Sequence, residues 1–96
     1  MRESEFQTKV IRYLRSLGAY VLNVPGGSQI PKGTPDLLVC YKGRFIALEL
    51  KTDTGTVMPL QEDTLETIRR ADGYTRVLRP KDWEHFVEDF KDFDIV

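Results

Sequence analysis

Ninety-six residues, 41% hydrophobic and 30% charged, fit one soluble globular domain spanning residues 1–96, because two cores of this size could not each bury enough apolar surface. No run approaches the ~20 apolar residues of a membrane-spanning helix, and MRESEFQTKV has no signal-peptide core, so no membrane association and a cytoplasmic location are expected. A single cysteine, Cys40, and a single histidine, His85, exclude an internal disulfide and the usual zinc sites.

In chain order, Ser4 is expected to cap a helix running to about Leu17, with Phe6, Val10, Leu14 and Leu17 on one stripe and Gly18 as the stop. The opposite face shows Lys9, Arg12 and Arg15. AYVLNV, residues 19–24, reads as a first strand, and PGGSQIPKG, residues 25–33, as a mobile surface loop. GTPDLLVCYKGRFIALELK, residues 33–51, reads as two apolar strands about a Lys42-Gly43 turn, with Cys40 as a small core residue. TDTGTV forms a second loop, and Pro59 opens a helix that ends near Asp72-Gly73. YTRVL, residues 74–78, is a short strand, and Pro80 opens an amphipathic helix with Trp83, Phe86, Val87 and Phe90 on its apolar side. His85 falls on the surface of that helix.

The net charge of −1 argues against coating nucleic acid by bulk charge, but its distribution is uneven. Residues 82–96 hold six acids (Asp82, Glu84, Glu88, Asp89, Asp92, Asp94) against Lys91, a net of −5, which leaves +4 on residues 1–81. A basic body with an acidic tail is compatible with a phosphate-binding face.

Three charges interrupt the apolar hairpin: Asp36, Glu49 and Lys51. If Lys42-Gly43 is a two-residue turn, Tyr41 faces Arg44 and Asp36 lies directly opposite Glu49. Opposite residues share a face, so two carboxylates meet at the open end of the hairpin, with Lys51 two residues beyond Glu49 on the same face. Opposed like charges destabilise a sheet, and a divalent cation answers them well: Mg²⁺ and Mn²⁺ take one or two carboxylates, keep several waters and bind phosphates. Lys51 is then placed to orient or help deprotonate a metal-bound water and to stabilise charge building on a phosphate. The plainer reading makes Asp36 a strand cap after Pro35, Glu49 a solvent-facing residue and Lys51 its surface partner. LLVC and FIAL weigh against it, because they suggest a hairpin buried on both faces. A one-residue bulge at the turn would shift the pairing.

Gln61 shares a helical stripe with Met58, Leu65 and Ile68. It is either a group that approaches the site or an ordinary buried amide bonded to a backbone carbonyl. Glu5 is either a first-turn carboxylate favoured by the helix dipole or an additional acid leaning over the site. Lys9, Arg12, Arg15 and Lys32 are candidate contacts for a phosphate backbone or plain solvated charges.

Pro35-Asp36 followed by Glu49-Leu50-Lys51 resembles the PD-(D/E)xK nuclease motif. GTPDLLV with ALELK resembles the virus-type replication-repair nuclease domain, VRR-NUC, and the likeness runs from Glu5 through Gln61. It implies an α/β fold with a restriction-endonuclease-like core, a mixed sheet flanked by helices in the order αβββαβα. By the same resemblance, Asp36, Glu49 and the Leu50 carbonyl bind Mg²⁺ or Mn²⁺, Lys51 serves the attacking water, and Gln61 and Glu5 complete the catalytic set. The expected activity is metal-dependent DNA endonuclease cleavage, selective for branched DNA in the manner of Holliday junction resolvases, by a homodimer of the kind encoded by bacteriophages. Two rivals stand beside it: a branched-DNA-binding module that does not cut, and a nuclease of the same chemistry for duplexes, flaps or single strands. Metal titration separates the first and a substrate panel the second.

Overall fold

The computed structural model describes residues 2–91. The elements follow in the expected order: α1 (Glu3–Ser16), β1 (Tyr20–Asn23), β2 (Leu37–Tyr41), β3 (Arg44–Leu50), α2 (Pro59–Arg70), β4 (Tyr74–Leu78) and α3 (Trp83–Lys91). The last helix is preceded by a 3-10 turn, Pro80–Asp82, so Pro80 opens that turn and not the α-helix itself. The acids at 92 and 94 lie outside the described residues.

The N-terminal cap differs from expectation. The first residue of α1 is Glu3, Arg2 is the capping residue without a side-chain bond, and the amide of Phe6 donates to the Arg2 carbonyl. Ser4 is thus inside the first turn, where Glu3 and Glu5 favour the helix dipole. The helix stops as expected at Gly18, with Ala19 N–H reaching back to the Leu14 carbonyl and Gly18 N–H to that of Arg15.

The four strands form one mixed sheet in the order β1-β2-β3-β4. β1 to β3 pair antiparallel, and β4 joins β3 in parallel after the α2 crossover. Tyr41 pairs with Arg44 and Leu37 with Leu48, so the hairpin has the two-residue turn and no bulge. Lys42 and Gly43 both have positive φ, 51° and 77°, the signs of a turn whose twist matches the flanking strands.

Strand alternation divides the side chains between two faces. One face packs Val21, Leu37, Val39, Ile46, Leu48, Leu50 and Leu78 against Phe6, Val10 and Leu14 of α1 and Phe86 and Phe90 of α3, forming the core. On the other face α2 lies over β3 and β4, where Gln61 bonds to Glu49 and Arg69 to Thr75. β1 and β2 are left bare there. Tyr20, Leu22 and Phe45 are exposed, and so is Cys40. The hairpin is therefore buried on both faces only toward its open end, and Cys40 is a surface thiol, because α2 is too narrow to cover four strands. No helix among the described residues is long and apolar enough to cross a membrane.

Candidate active site

The open end of the hairpin lies where β1 finishes, β2 starts, and β3 and β4 finish. Asp36 immediately precedes β2, and its carbonyl accepts from Val24 N–H at 2.9 Å. The β2–β3 register, continued by two residues beyond Leu37 and Leu48, sets Asp36 opposite Glu49 and then Pro35 opposite Leu50. Proline has no N–H, so position 35 cannot donate to the Leu50 carbonyl. The Leu50 N–H is instead taken by Asp36 Oδ2 at 2.8 Å, which anchors one oxygen of Asp36 and leaves Oδ1 for another role.

Glu49 is anchored in the same way. It is the one buried charged residue among those described, 2% exposed. Its Oε2 accepts from Gln61 Nε2 at 2.8 Å and lies 3.6 Å from Lys51 Nζ, while Oε1 is buried without a hydrogen-bond partner. Burial pushes the Glu49 carboxyl up to about 7, with the neighbouring Asp36 charge adding to the rise and Lys51 opposing it. Gln61 is oriented from behind: its Oε1 accepts from Met58 N–H at 2.9 Å, closing the N-terminus of α2. Gln61 is thereby a group that approaches the site, and its carbonyl end also serves the helix cap.

The β1–β2 loop borders the site. Gly33 has φ +86°, and a Cβ there would lie 2.8 Å from the Leu60 carbonyl oxygen and 2.9 Å from Leu60 Cγ. Only glycine lets the loop lie this close to the first turn of α2. The loop encloses an open hollow of about 270 Å³ that runs from Val24 past Lys32 to Asp36.

The structure brings together Asp36, Glu49, Lys51 and Gln61. Glu5 stays outside this group. It is exposed on the first turn of α1, and no cluster of three Asp, Glu, His or Cys placed to hold one metal occurs among the described residues. A bond from Gln7 to Asn23 nevertheless holds that end of α1 against the end of β1. The basic residues are dispersed. Lys9 Nζ sits 5.1 Å from the centroid of the Trp83 ring, Arg15 reaches the Val21 carbonyl at 3.4 Å, and Arg12 is exposed. With a rise of 1.5 Å per residue, Arg15 lies about 12 Å along α1 from Gln7. Sequence reasoning missed Arg79, whose side chain bonds the Thr52 and Gly55 carbonyls beside Lys51. An arginine that binds backbone leaves no spacing signal.

The donor set fits a hard divalent cation. Two carboxylates each present an unanchored oxygen, Glu49 Oε1 is orphaned in the interior, and the Leu50 carbonyl lacks the strand donor that would normally take it. Two protein carboxylates with waters completing the shell suit Mg²⁺ or Mn²⁺.

No family sequence model matches the chain, and no curated protein matches it. Solved structures do. A VRR_NUC domain superposes with a TM-score of 0.78 at 20% identity, covering 96% of this chain and 97% of that one. Hjc from Archaeoglobus fulgidus, a Holliday junction resolvase, superposes with a TM-score of 0.59 at 19% identity, covering 80% of this chain and 69% of its own. The fold is therefore that of the VRR_NUC domain, a mixed sheet flanked by helices.

Proposed function

We propose that this chain is a VRR-NUC nuclease domain of the PD-(D/E)xK superfamily: a metal-dependent DNA endonuclease, selective for branched DNA of the Holliday junction type. The observation that carries this reading is a buried Glu49 held by Gln61 and Lys51 opposite Asp36, with Oε1 left unpartnered. A fold needs no such group for stability, since burying a carboxylate short of partners is costly. The likeness to a resolvase supports the choice of branched DNA.

Asp36, Glu49 and the Leu50 carbonyl would hold Mg²⁺ or Mn²⁺, which when bound polarises a phosphate and lowers the pKa of water. Gln61 fixes Glu49 Oε2, which leaves the unpartnered Oε1 as the oxygen that would serve a cation. Lys51, 3.6 Å from that carboxylate, orients the attacking water for in-line displacement and stabilises negative charge growing on the phosphate. Glu5 acts from outside the group, as an acid at its rim. Lys32, on the hollow that ends at Asp36, and Lys9, Arg12 and Arg15 along α1 are the DNA-backbone contacts of this reading.

The proposed assembly is a homodimer, because a four-way junction has two symmetry-related strands to cut. The bare apolar face around Tyr20, Leu22 and Phe45 is the surface a second copy would cover. Sedimentation equilibrium should give twice the 11.1 kDa chain mass; a monomer at all concentrations would remove that part of the reading.

The decisive experiment is cleavage of an end-labelled panel (four-way junction, flap, duplex, single strand) with Mg²⁺, Mn²⁺ or EDTA, and Asp36→Ala as the contamination control. Cutting of the junction by wild type alone, abolished by EDTA, is expected. Junction binding without any cutting would leave a binding module in its place.

A further inference from the structure

Lys51 is the last residue before a loop, and loops are where a positioned lysine is most easily lost. Here the loop is tied down. Lys51 N–H donates to the Leu78 carbonyl at 3.0 Å, continuing the β3–β4 pairing by one residue. Beyond it the chain turns, with Gly55 N–H donating to the Thr52 carbonyl at 3.3 Å. Arg79, the residue after β4, crosses to this turn: its Nη1 donates to the Thr52 carbonyl at 2.7 Å and to the Gly55 carbonyl at 2.6 Å. A third bond joins the same two segments, from Lys81 N–H to Asp53 Oδ1 at 2.9 Å.

The strapped turn lies over the lysine. A Cβ built on Gly55 would sit 3.6 Å from Lys51 Cδ and 3.0 Å from Thr52 Oγ1, so the turn runs alongside the aliphatic stem of Lys51, a methyl group's width away. That side chain is only 17% exposed, with its ammonium directed at Glu49. A guanidinium bonded to two carbonyls is charge-assisted at both contacts and fixes their separation. The turn has no apolar anchor of its own among Thr52, Asp53, Thr54 and Gly55, so these bonds are what set its place.

We infer that Arg79 is a positioning residue for Lys51, acting through the Thr52–Gly55 turn, with Asp53 as the secondary tie. This rests on the nuclease reading only for its consequence on cleavage. The contact itself is testable without any substrate.

The test is lysine acylation footprinting by mass spectrometry on wild type, Arg79→Ala, Arg79→Lys and Asp53→Ala, alongside single-turnover cleavage. In Arg79→Ala the labelling of Lys51 should rise about threefold or more as the turn opens, while Lys32 and Lys42 label as in wild type. Cleavage should fall roughly 10- to 100-fold in rate with DNA affinity unchanged, since the lysine is displaced and not removed. Arg79→Lys should restore part of both readouts, and Asp53→Ala, on an exposed side chain, should give a smaller change of the same sign in a folded protein. Unchanged Lys51 labelling in both Arg79→Ala and Asp53→Ala overturns the inference, whatever cleavage does. Raised Lys51 labelling in a protein whose wild type cuts nothing keeps the positioning role and removes the nuclease reading instead.

Discussion

The two faces of the sheet are built from the same kinds of strand residue and put to different uses. The face under α1 and α3 is closed by Phe6, Leu14, Phe86 and Phe90 over an unbroken apolar layer. The face under α2 holds a buried carboxylate, a half-buried aspartate and a lysine at one end, and exposed Tyr20, Leu22 and Phe45 at the other. Stability is concentrated where every group has an apolar partner. The second face gives some of it up to keep Glu49 in place. Damage to the first face should therefore appear as unfolding, and damage to the second as lost chemistry in a folded protein.

The largest effect is expected from Phe86→Ala. The ring is fully buried and contacts Tyr13, Trp83 and Phe90, so its removal should cost about 3–5 kcal/mol in denaturant unfolding. Where protein stays folded, its single-turnover rate should match wild type. A loss below about 1 kcal/mol would mean that the face is not where stability resides.

Lys51→Ala breaks the comparison from the other side. Cleavage should fall roughly 10²–10³-fold, equivalent to about 3–4 kcal/mol of barrier, with DNA binding and melting temperature little changed. Undiminished cleavage would refute the role given to Lys51.

Glu49→Gln sharpens the comparison, because it should stabilise the protein while destroying the site. The Glu49 carboxyl is raised to about 7 in the fold, so between the ordinary glutamate range and pH 7 the folded protein keeps a proton that the unfolded chain has released. Its contribution is fully present below the unfolded pKa and is lost as pH rises through the folded one. In EDTA at pH 8, Glu49→Gln should be more stable than wild type by about 3 kcal/mol, a gap that closes toward pH 4.5. Mg²⁺ should then raise the melting temperature of wild type and not of the variant. A gap that stays constant with pH would show that Glu49 does not titrate there.

Legibility in the sequence followed the same division. The hairpin register was readable because Lys42-Gly43 fixes every pair up to the carboxylates, and the core face was readable because Phe6, Val10 and Leu14 repeat at helical spacing. The bare face was not readable. Leu38 and Cys40 alternate with Leu37 and Val39 as a doubly buried strand would, and only the width of α2 decides that their side stays open. Pairing also placed Asp36 and Glu49 correctly, whereas the bonds holding each carboxylate run to backbone and amide groups with no compositional signature. Arg79 was hidden for the same reason, since its partners are carbonyls 24 and 27 residues away.

The smallest effect is expected from Glu5→Gln. Glu5 shares its end of the molecule with the site, through the Gln7–Asn23 bond that holds α1 to β1, but it is exposed and belongs to no cluster of three potential ligands. A carboxylate in that position acts through solvent, where one charge at several ångströms is worth about 1 kcal/mol or less. Single-turnover cleavage should accordingly drop less than about tenfold, and the dependence of rate on Mg²⁺ concentration should shift only slightly. A loss as large as that of Lys51→Ala would require Glu5 to move against Asp36 and Glu49 when DNA binds. The closed face would then have to yield at α1, and the separation of a rigid face from a reactive one would no longer hold.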